Sequence, residues 1–393
     1  MADKFKIKPL KDIPTPDAAL LGHDKVVENL KKFLQSDEIE TPMSIAIHGE
    51  WGSGKTSIMR TLEKKLDKEK VEFLFFEAWK YEYSNPSAGL IGELAIKLSD
   101  SRDSVIPIVK AAAFVLTKQF LNFDSNELMN VLQKDRKTLT ENLSENLQKI
   151  IENKIKGKKL VILIDDLDRC DVENSLQILS IIKLFLDMEN IICVAAVDHK
   201  RLENAWLRKY SIKDKKHEND AKQYLDKIFQ VRIGIPVPDY DEVEDFFKDL
   251  VDEMPPQLLE MFVSCSKRNP RSIKRMLNLI AYRKLLLNSD ENQISATLWT
   301  LLEEIVGNEM SIKIVDIIRK GENSLGRLVS NNGNNWASIK QIVGKVASDN
   351  SSLEDLRKWF YLSHKLITEI HIDVSQLELD FDVLYSRTKE SFE

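Results

Sequence analysis

The segment Gly49-Glu50-Trp51-Gly52-Ser53-Gly54-Lys55-Thr56 decides how this chain is read, because it satisfies G-x-x-x-x-G-K-[ST] at every defined position. Its surroundings agree. The apolar run Ser44-Ile45-Ala46-Ile47 precedes it as a buried strand, and Ser57 to Leu66 follows as an amphipathic helix. Glycines in such a loop let successive backbone N–H groups turn inward as a concave nest, and the helix behind adds its positive end. A nest of that kind suits a phosphate chain. The expected ligand is therefore ATP, lined by Gly49, Glu50, Trp51, Gly52, Ser53, Gly54, Lys55, Thr56 and Ser57. Lys55 is expected to bridge the β and γ phosphates. Thr56 is expected to give its hydroxyl to Mg2+, which prefers hard oxygen ligands.

A second constellation supports the first. Leu160-Val161-Ile162-Leu163-Ile164 has the composition of a buried parallel strand and runs into Asp165-Asp166-Leu167-Asp168-Arg169. Open α/β sheets place ligands at the carboxyl ends of their strands. Asp165 is the expected acid on the magnesium side, acting through a bound water, and Asp166 the candidate that orients the attacking water or takes its proton. Asp168 and Arg169 either pair with each other or reach a neighbour. Asp198, at the end of the apolar run Ile191 to Val197, is a candidate sensor of the γ phosphate or a plain strand-ending residue. In the cationic segment Arg268-Asn269-Pro270-Arg271-Ser272-Ile273-Lys274-Arg275, Arg271 is the favoured residue to reach the γ phosphate, against the reading of a basic solvated helix face.

Around these motifs the chain alternates strands and helices. Met43 to His48, Val71 to Phe76, Leu160 to Ile164, Ile191 to Val197 and Val231 to Val237 are the expected strands, with helices at Asp24 to Leu34 and Ser175 to Leu186 among those between. Strands separated by helices imply an α/β fold with a mainly parallel sheet covered on both faces. Pro236 and Pro238 mark a hinge, because proline fixes its own φ and restricts the residue before it. The expected domains are a core over 1–238, a helical lid over 239–306 and a C-terminal helical region over 307–393. A long, mainly helical insertion, about 84–157, interrupts the core, and its stretch Glu127 to Lys156 is either an exposed hairpin that binds a partner or a solvated helix pair.

Composition sets the outer limits. With 393 residues and 43% hydrophobic content, including six Trp, the chain has enough apolar material for two or three packed units. Lys and Arg total 57 against 63 Asp and Glu, a net charge of -6, so the overall balance does not demand a polyanionic partner. Cys170, Cys193 and Cys265 lack the spacing of a disulfide framework or a zinc site. Met1 to Leu10 has no apolar core of the kind a signal peptide needs, and Pro107, Lys110, Lys118 and Gln119 interrupt Val105 to Leu121, the best candidate for a membrane span. A cytoplasmic protein without transmembrane segments is expected, with peripheral membrane association left open.

The motifs together resemble the KAP group of P-loop NTPases. The resemblance rests on the loop with Trp51 inside it, Phe76-Glu77-Ala78-Trp79-Lys80-Tyr81, Asp165-Asp166-Leu167-Asp168-Arg169-Cys170, Tyr224-Leu225-Asp226-Lys227-Ile228-Phe229-Gln230, and Asn269-Pro270-Arg271 with Lys274, Arg275 and Asn278. It implies an ATPase core of the additional-strand, catalytic-acid type with a helical lid. It also implies that Asp17 to His23 borders the nucleotide, with Leu20-Leu21-Gly22 beside the adenine. Phe76 and Trp79 are expected to fill core space. Bacterial members of the group are linked with phage exclusion and defence, animal members with membrane-associated signalling, and the Lys-, Asn- and Ile-rich composition leans bacterial.

Three functions are compatible with these residues. The first is an ATP-driven conformational or assembly switch read by a protein partner or by a second copy of the chain. Another is an ATPase or sensor stimulated by nucleic acid, for which the basic runs Arg208 to Lys216 and Lys267 to Arg275 speak. The last is a protein-binding scaffold that nucleotide only stabilises.

Overall fold

The computed structural model describes residues 7, 10–11, 21–83, 85–98, 145, 147–149, 151–209, 218–251, 254–287, 293–307, 311–314, 350–370 and 374–390. The chain divides into two compact units, Pro14–Pro236 on one side and Met1–Ile13 with Val237–Glu393 on the other.

Among the described residues the first unit is built on five parallel strands. They are β1 (Met43–His48), β2 (Val71–Glu77), β3 (Lys159–Asp165), β4 (Ile191–Val197) and β5 (Val231–Gly234), in the spatial order β2-β3-β4-β1-β5. A further strand, β4, therefore stands between the strand that enters the glycine loop and the strand that ends in Asp165. The register carries each chemical segment to one edge: His48 pairs with Val197, and Glu77 with Asp165. All four residues lie at carboxyl ends, where ligands of open sheets bind.

Near-continuous Val, Ile and Leu runs are what a sheet buried on both faces requires. One face packs on α1 (His23–Leu34) and α2 (Lys55–Lys65), through Val27, Leu30, Leu34, Ile58 and Leu62. The other packs on α3 (Pro86–Leu98) and α4 (Val172–Phe185), through Leu90, Leu94, Ile178 and Phe185. Two further helices, α5 (His199–Lys209) and α6 (Glu218–Ile228), complete this unit among the described residues.

The expected strand Val231 to Val237 is shorter in the structure. β5 stops at Gly234 because, after Ile235 donates its N–H to His48 O at 3.0 Å, Pro236 has no N–H with which to continue the ladder. The insertion also differs from expectation where it is described. Its first part is α3, a core helix; of Glu127 to Lys156, read as an exposed hairpin or a solvated helix pair, 127–144, 146 and 150 lie outside the described residues, and Leu147, Ile151 and Ile155 are buried in the same cluster as α3 and α4. An apolar residue every fourth position makes that end a covering helix. Val105 to Leu121 lies outside the described residues, and no helix among the described residues is long and apolar enough to cross a membrane.

Among the described residues the second unit is helical apart from one bridge. It contains α7 (Tyr240–Leu250), α8 (Pro256–Cys265), α9 (Pro270–Leu286), α10 (Gln293–Val306), α11 (Asn350–Ile370) and α12 (Val374–Glu390). Trp299 and Trp359 are buried here, and the Trp359 indole N–H donates to Leu298 O at 3.0 Å, tying α11 to α10. The segment read as a lid and the C-terminal helices thus share one packed body. Residues at the start of the chain join it as well: Ile7 bridges Val251, and Leu10 exchanges two hydrogen bonds with the Asn278 side chain, at 2.6 and 2.8 Å.

Candidate nucleotide site

The loop between β1 and α2 takes its shape from glycine. Gly52 and Gly54 have φ of 85° and 96°, where a side chain is strained, and a Cβ on Gly54 would stand 2.6 Å from the His23 ring. Lys55 opens α2, and its buried ammonium turns back over the loop to donate to Gly49 O at 2.9 Å and Glu50 O at 3.1 Å. Trp51 stands at the outside of the loop, 57% exposed.

Across the sheet edge, β3 delivers Asp165. Its Oδ1 accepts from Thr56 Oγ1 at 3.3 Å and from the Asp166 N–H at 2.9 Å, whereas Oδ2 is buried without a hydrogen-bond partner. Burial first, then the neighbouring Asp166 charge, pushes the Asp165 carboxyl up to about 6, against the pull of the Asp166 N–H and the Thr56 hydroxyl. A buried carboxylate oxygen with no partner is costly, and a divalent cation beside it would remove that cost. Thr56 and Asp165 are hard oxygen donors brought together for such an ion, so the residues fit Mg2+.

Beyond Asp165 the chain makes a tight turn. Asp166 adopts the left-handed conformation, φ 57° and ψ 26°, which aspartate tolerates better than most residues, and Leu167–Arg169 form one turn of 3-10 helix. Leu167 points into the core. Arg169 Nε meets Asp166 Oδ1 at 2.7 Å, and its guanidinium lies 5.8 Å from the centre of the Trp79 ring. Asp168 goes the other way: buried at 5% exposure, it places Oδ2 at 3.1 Å from Lys55 Nζ. The sequence reading in which Asp168 pairs with Arg169 does not hold, while its alternative, a reach to a neighbour, describes the contact with Lys55.

Phe76 and Trp79, Asp198 and Arg271 each take a defined local place. Phe76 is fully buried as expected, but Trp79 is 51% exposed, because the 3-10 turn Ala78–Tyr81 lifts it off the end of β2. Asp198 caps α5, its Oδ1 accepting from the Arg201 N–H at 3.2 Å. Arg271 belongs to the helical unit, in the first turn of α9, where Asn269 Oδ1 accepts from the N–H groups of Arg271 and Ser272 and Pro270 takes the first helical position. Asn269-Pro270 is thus a helix start with a stated physical reason.

His23 was named in the sequence only as the end of the segment Asp17 to His23, and His199 was not singled out. His23 is 2% exposed and fills the space that Gly54 leaves; of the segment Asp17 to His23 expected beside the nucleotide, 17–20 lie outside the described residues, and Leu21 and Gly22 take consecutive left-handed conformations. His199 meets His48 edge-on at 5.5 Å near the foot of the loop. Each is adjacent to a quoted motif, and that proximity was the available signal.

Comparison with known proteins sets these features in a family. The chain is 20% identical over 279 residues to the Phage T7 exclusion protein of Escherichia coli, a match that covers 60% of this chain and 36% of that protein. It is 32% identical over 132 residues to Uncharacterized protein MJ0182 of Methanocaldococcus jannaschii, covering 32% of this chain and 61% of that one. The chain thus spans between about a third and three fifths of the length of these relatives. Among solved structures it is similar to the Aeropyrum pernix ORC1 protein in complex with DNA, with TM-score 0.43, 12% identity and coverage of 98% and 89%. It is also similar to AMPPCP-bound DnaA from Aquifex aeolicus, with TM-score 0.36, 11% identity and coverage of 93% and 92%. Likeness at that level decides nothing about function. The family model described as KAP family P-loop domain matches residues 23–287, well over half of the sequence and all the motifs quoted above, so this chain belongs to the KAP family of P-loop NTPases.

Proposed function

We propose that this protein binds ATP with Mg2+ in the loop Gly49 to Ser57 and hydrolyses it, and that the cycle works as a conformational or assembly switch. The observation that carries this reading is the Asp165 carboxylate, buried, hydrogen-bonded to Thr56 on one oxygen and unpartnered on the other. Backbone N–H groups of the loop and the start of α2 hold the phosphate chain, and Lys55 exchanges its two loop carbonyls for phosphate oxygens. Thr56 and Asp165 hold the cation, which when bound supplies charge neutralisation on the phosphates.

The switch reading draws support from the division of the chain into two units at the prolines Pro236 and Pro238. In this reading residues 239–306 act as a lid, Arg271 is its cation for the γ phosphate, and Asp198 senses that phosphate from the end of β4. A role in phage defence draws support from the relative named as a phage exclusion protein.

ATP turnover and ATP affinity of the wild type, Lys55→Ala and Asp165→Asn test the chemistry. Hydrolysis by the wild type alone, with binding weakened in Lys55→Ala, is the expected result; equal rates in all three end the proposal. Solution size measured with ADP, ATP and a non-hydrolysable analogue tests the switch. A size or shape that depends on the γ phosphate is expected, and identical profiles in all three would reject it.

A further inference from the structure

We propose that Asp168, and not Asp166, is the carboxylate that faces the terminal phosphate and orients the attacking water; this rests on the ATPase reading above and assigns a residue within it. The reason is the turn after β3. Asp166 is left-handed, φ 57°, ahead of the single 3-10 turn Leu167–Arg169, and the Arg169 N–H returns to Asp166 O at 3.1 Å. That closure brings the Arg169 and Asp166 side chains together at 2.7 Å, while Leu167 is buried in the core and Asp168 takes another side.

Sheet order gives those sides a meaning. β3 lies between β2 and β4, and the glycine loop follows β1, beyond β4. The Asp166–Arg169 pair sits toward β2, since Arg169 lies over Trp79 in the 3-10 turn that ends that strand, and Asp171 N–H is held at 2.9 Å by Glu82 just beyond. Asp168 instead points to the loop and meets Lys55 Nζ at 3.1 Å. Lys55 is the side chain that must touch the β and γ phosphates, so the carboxylate paired with it stands one hydrogen-bond length from that contact. Asp166 is held by a cation that faces the opposite neighbour.

In the reaction a water oxygen attacks the γ phosphorus, and the bond from that phosphorus to the bridging oxygen breaks, its electron pair leaving with ADP. Asp168 accepts the water's proton and releases it to solvent, so ATP and water yield ADP, phosphate and a proton. Geometry comes first in this task, and a carboxylate fixed by Lys55 has it. Arg169 is a positioning residue, which holds the Asp166 carboxylate at 2.7 Å while the Asp166 N–H serves Asp165.

The test separates turnover from affinity on the full chain, using wild type, Asp168→Asn, Asp168→Glu and Asp166→Asn. Asp168→Asn is expected to lower kcat about 100-fold or more at saturating ATP while ATP affinity stays within about threefold, as removal of a water-orienting acid does. Asp166→Asn is expected to cost about 3- to 10-fold, a tenth or less of that loss. A kcat loss of about 100-fold in Asp166→Asn, with Asp168→Asn near wild type, overturns the proposal. So does an Asp168→Asn variant whose only defect is weaker ATP binding, since that describes a residue that merely holds Lys55. If Asp168→Asn does not fold, Asp166→Asn and the partial turnover expected of Asp168→Glu decide the matter. A wild type that binds ATP without any turnover removes the ATPase reading itself, an outcome distinct from all of these.

Discussion

Two buried carboxylates, Glu303 in the helical unit and Asp165 in the sheet unit, are treated in opposite ways. In the helical unit, Arg283 and Glu303 are both buried and pair with each other; Arg283 also donates to Thr300 at 2.8 Å, and the Trp299 indole N–H donates to Glu303 at 2.7 Å. Asp380 likewise accepts from Ser295 at 2.6 Å and Gln376 at 2.8 Å. In the sheet unit, Asp165 keeps one oxygen without a partner, and Ser53 in the glycine loop keeps its hydroxyl so. The helical unit does have Ser363 Oγ in that condition, but that is a neutral hydroxyl and not a charge. The Arg283–Glu303 network is closed by groups of the fold itself, whereas the carboxylate oxygen left open at the end of β3 is a place for a ligand.

The widest gap between the units should appear in turnover. Asp165→Asn is expected to lower ATP hydrolysis by about a thousandfold or more, because it removes a charged cation ligand at the reacting phosphates. The same change should leave the cation-free protein as stable as wild type or more so, since a neutral amide replaces an uncompensated buried carboxylate. Thermal unfolding in the presence of a chelator checks this. A clear drop in melting temperature would mean that Asp165 is structural and would dissolve the contrast.

In the helical unit the same kind of change should act on stability. Glu303→Ala strands Arg283 in the interior and is expected to cost about 3–5 kcal/mol, the range for breaking a buried pair from one side. Replacing both residues together by apolar side chains of similar volume should recover much of that loss. Denaturant unfolding of the three variants measures it, and a Glu303→Ala protein as stable as wild type would show that this network is not what the unit relies on.

A smaller effect is expected at Gly54. Alanine there meets a φ of 96° and the His23 ring at 2.6 Å, so Gly54→Ala should cost about 1–3 kcal/mol and weaken ATP binding through a shifted loop. His23→Ala in the same chain opens the space while leaving the backbone strain. If the double variant regains stability and affinity in full, contact with His23 and not the φ angle is the reason for glycine at this place.

What the sequence disclosed follows from the range of each interaction. Strands, the glycine loop and Asp165 were legible because they depend on local patterns: apolar runs, a fixed spacing, a carboxylate at a strand end. The partners of Asp166 and Asp168 were not, since a left-handed residue at 166 decides which side each side chain takes, and an Asp-Asp-Leu-Asp-Arg string allows several pairings. Exposure of Trp79 was likewise hidden, because an aromatic residue at a strand end is buried or exposed according to the turn that follows. Leu147, Ile151 and Ile155 had a readable spacing, but the many charges between them hid it.

The least of the expected effects concerns His199, and its sign can be worked out from its surroundings. Burial first, then Arg232 and His48, with a smaller part from Lys222, hold its imidazole down at about 4, although Asp198 acts in the opposite sense. Its Nε2 is buried without a hydrogen-bond partner, and the ring packs edge-on against His48 and Phe229, so the neutral form is the one that fits. In the unfolded chain the same group titrates near the ordinary value of about 6.5. Between these values the unfolded state carries a proton that the folded state lacks, so stability falls as pH is lowered from about 6.5 toward 4 and is fully present above that window. For a half-buried ring the contribution is on the order of 1 kcal/mol, reduced by solvent screening. His199→Phe should flatten the dependence of unfolding on pH across this interval by up to one proton. An unchanged slope would place the acid sensitivity of the sheet unit elsewhere, and would mean that the His48 and His199 pair accommodates a charge at the foot of the glycine loop.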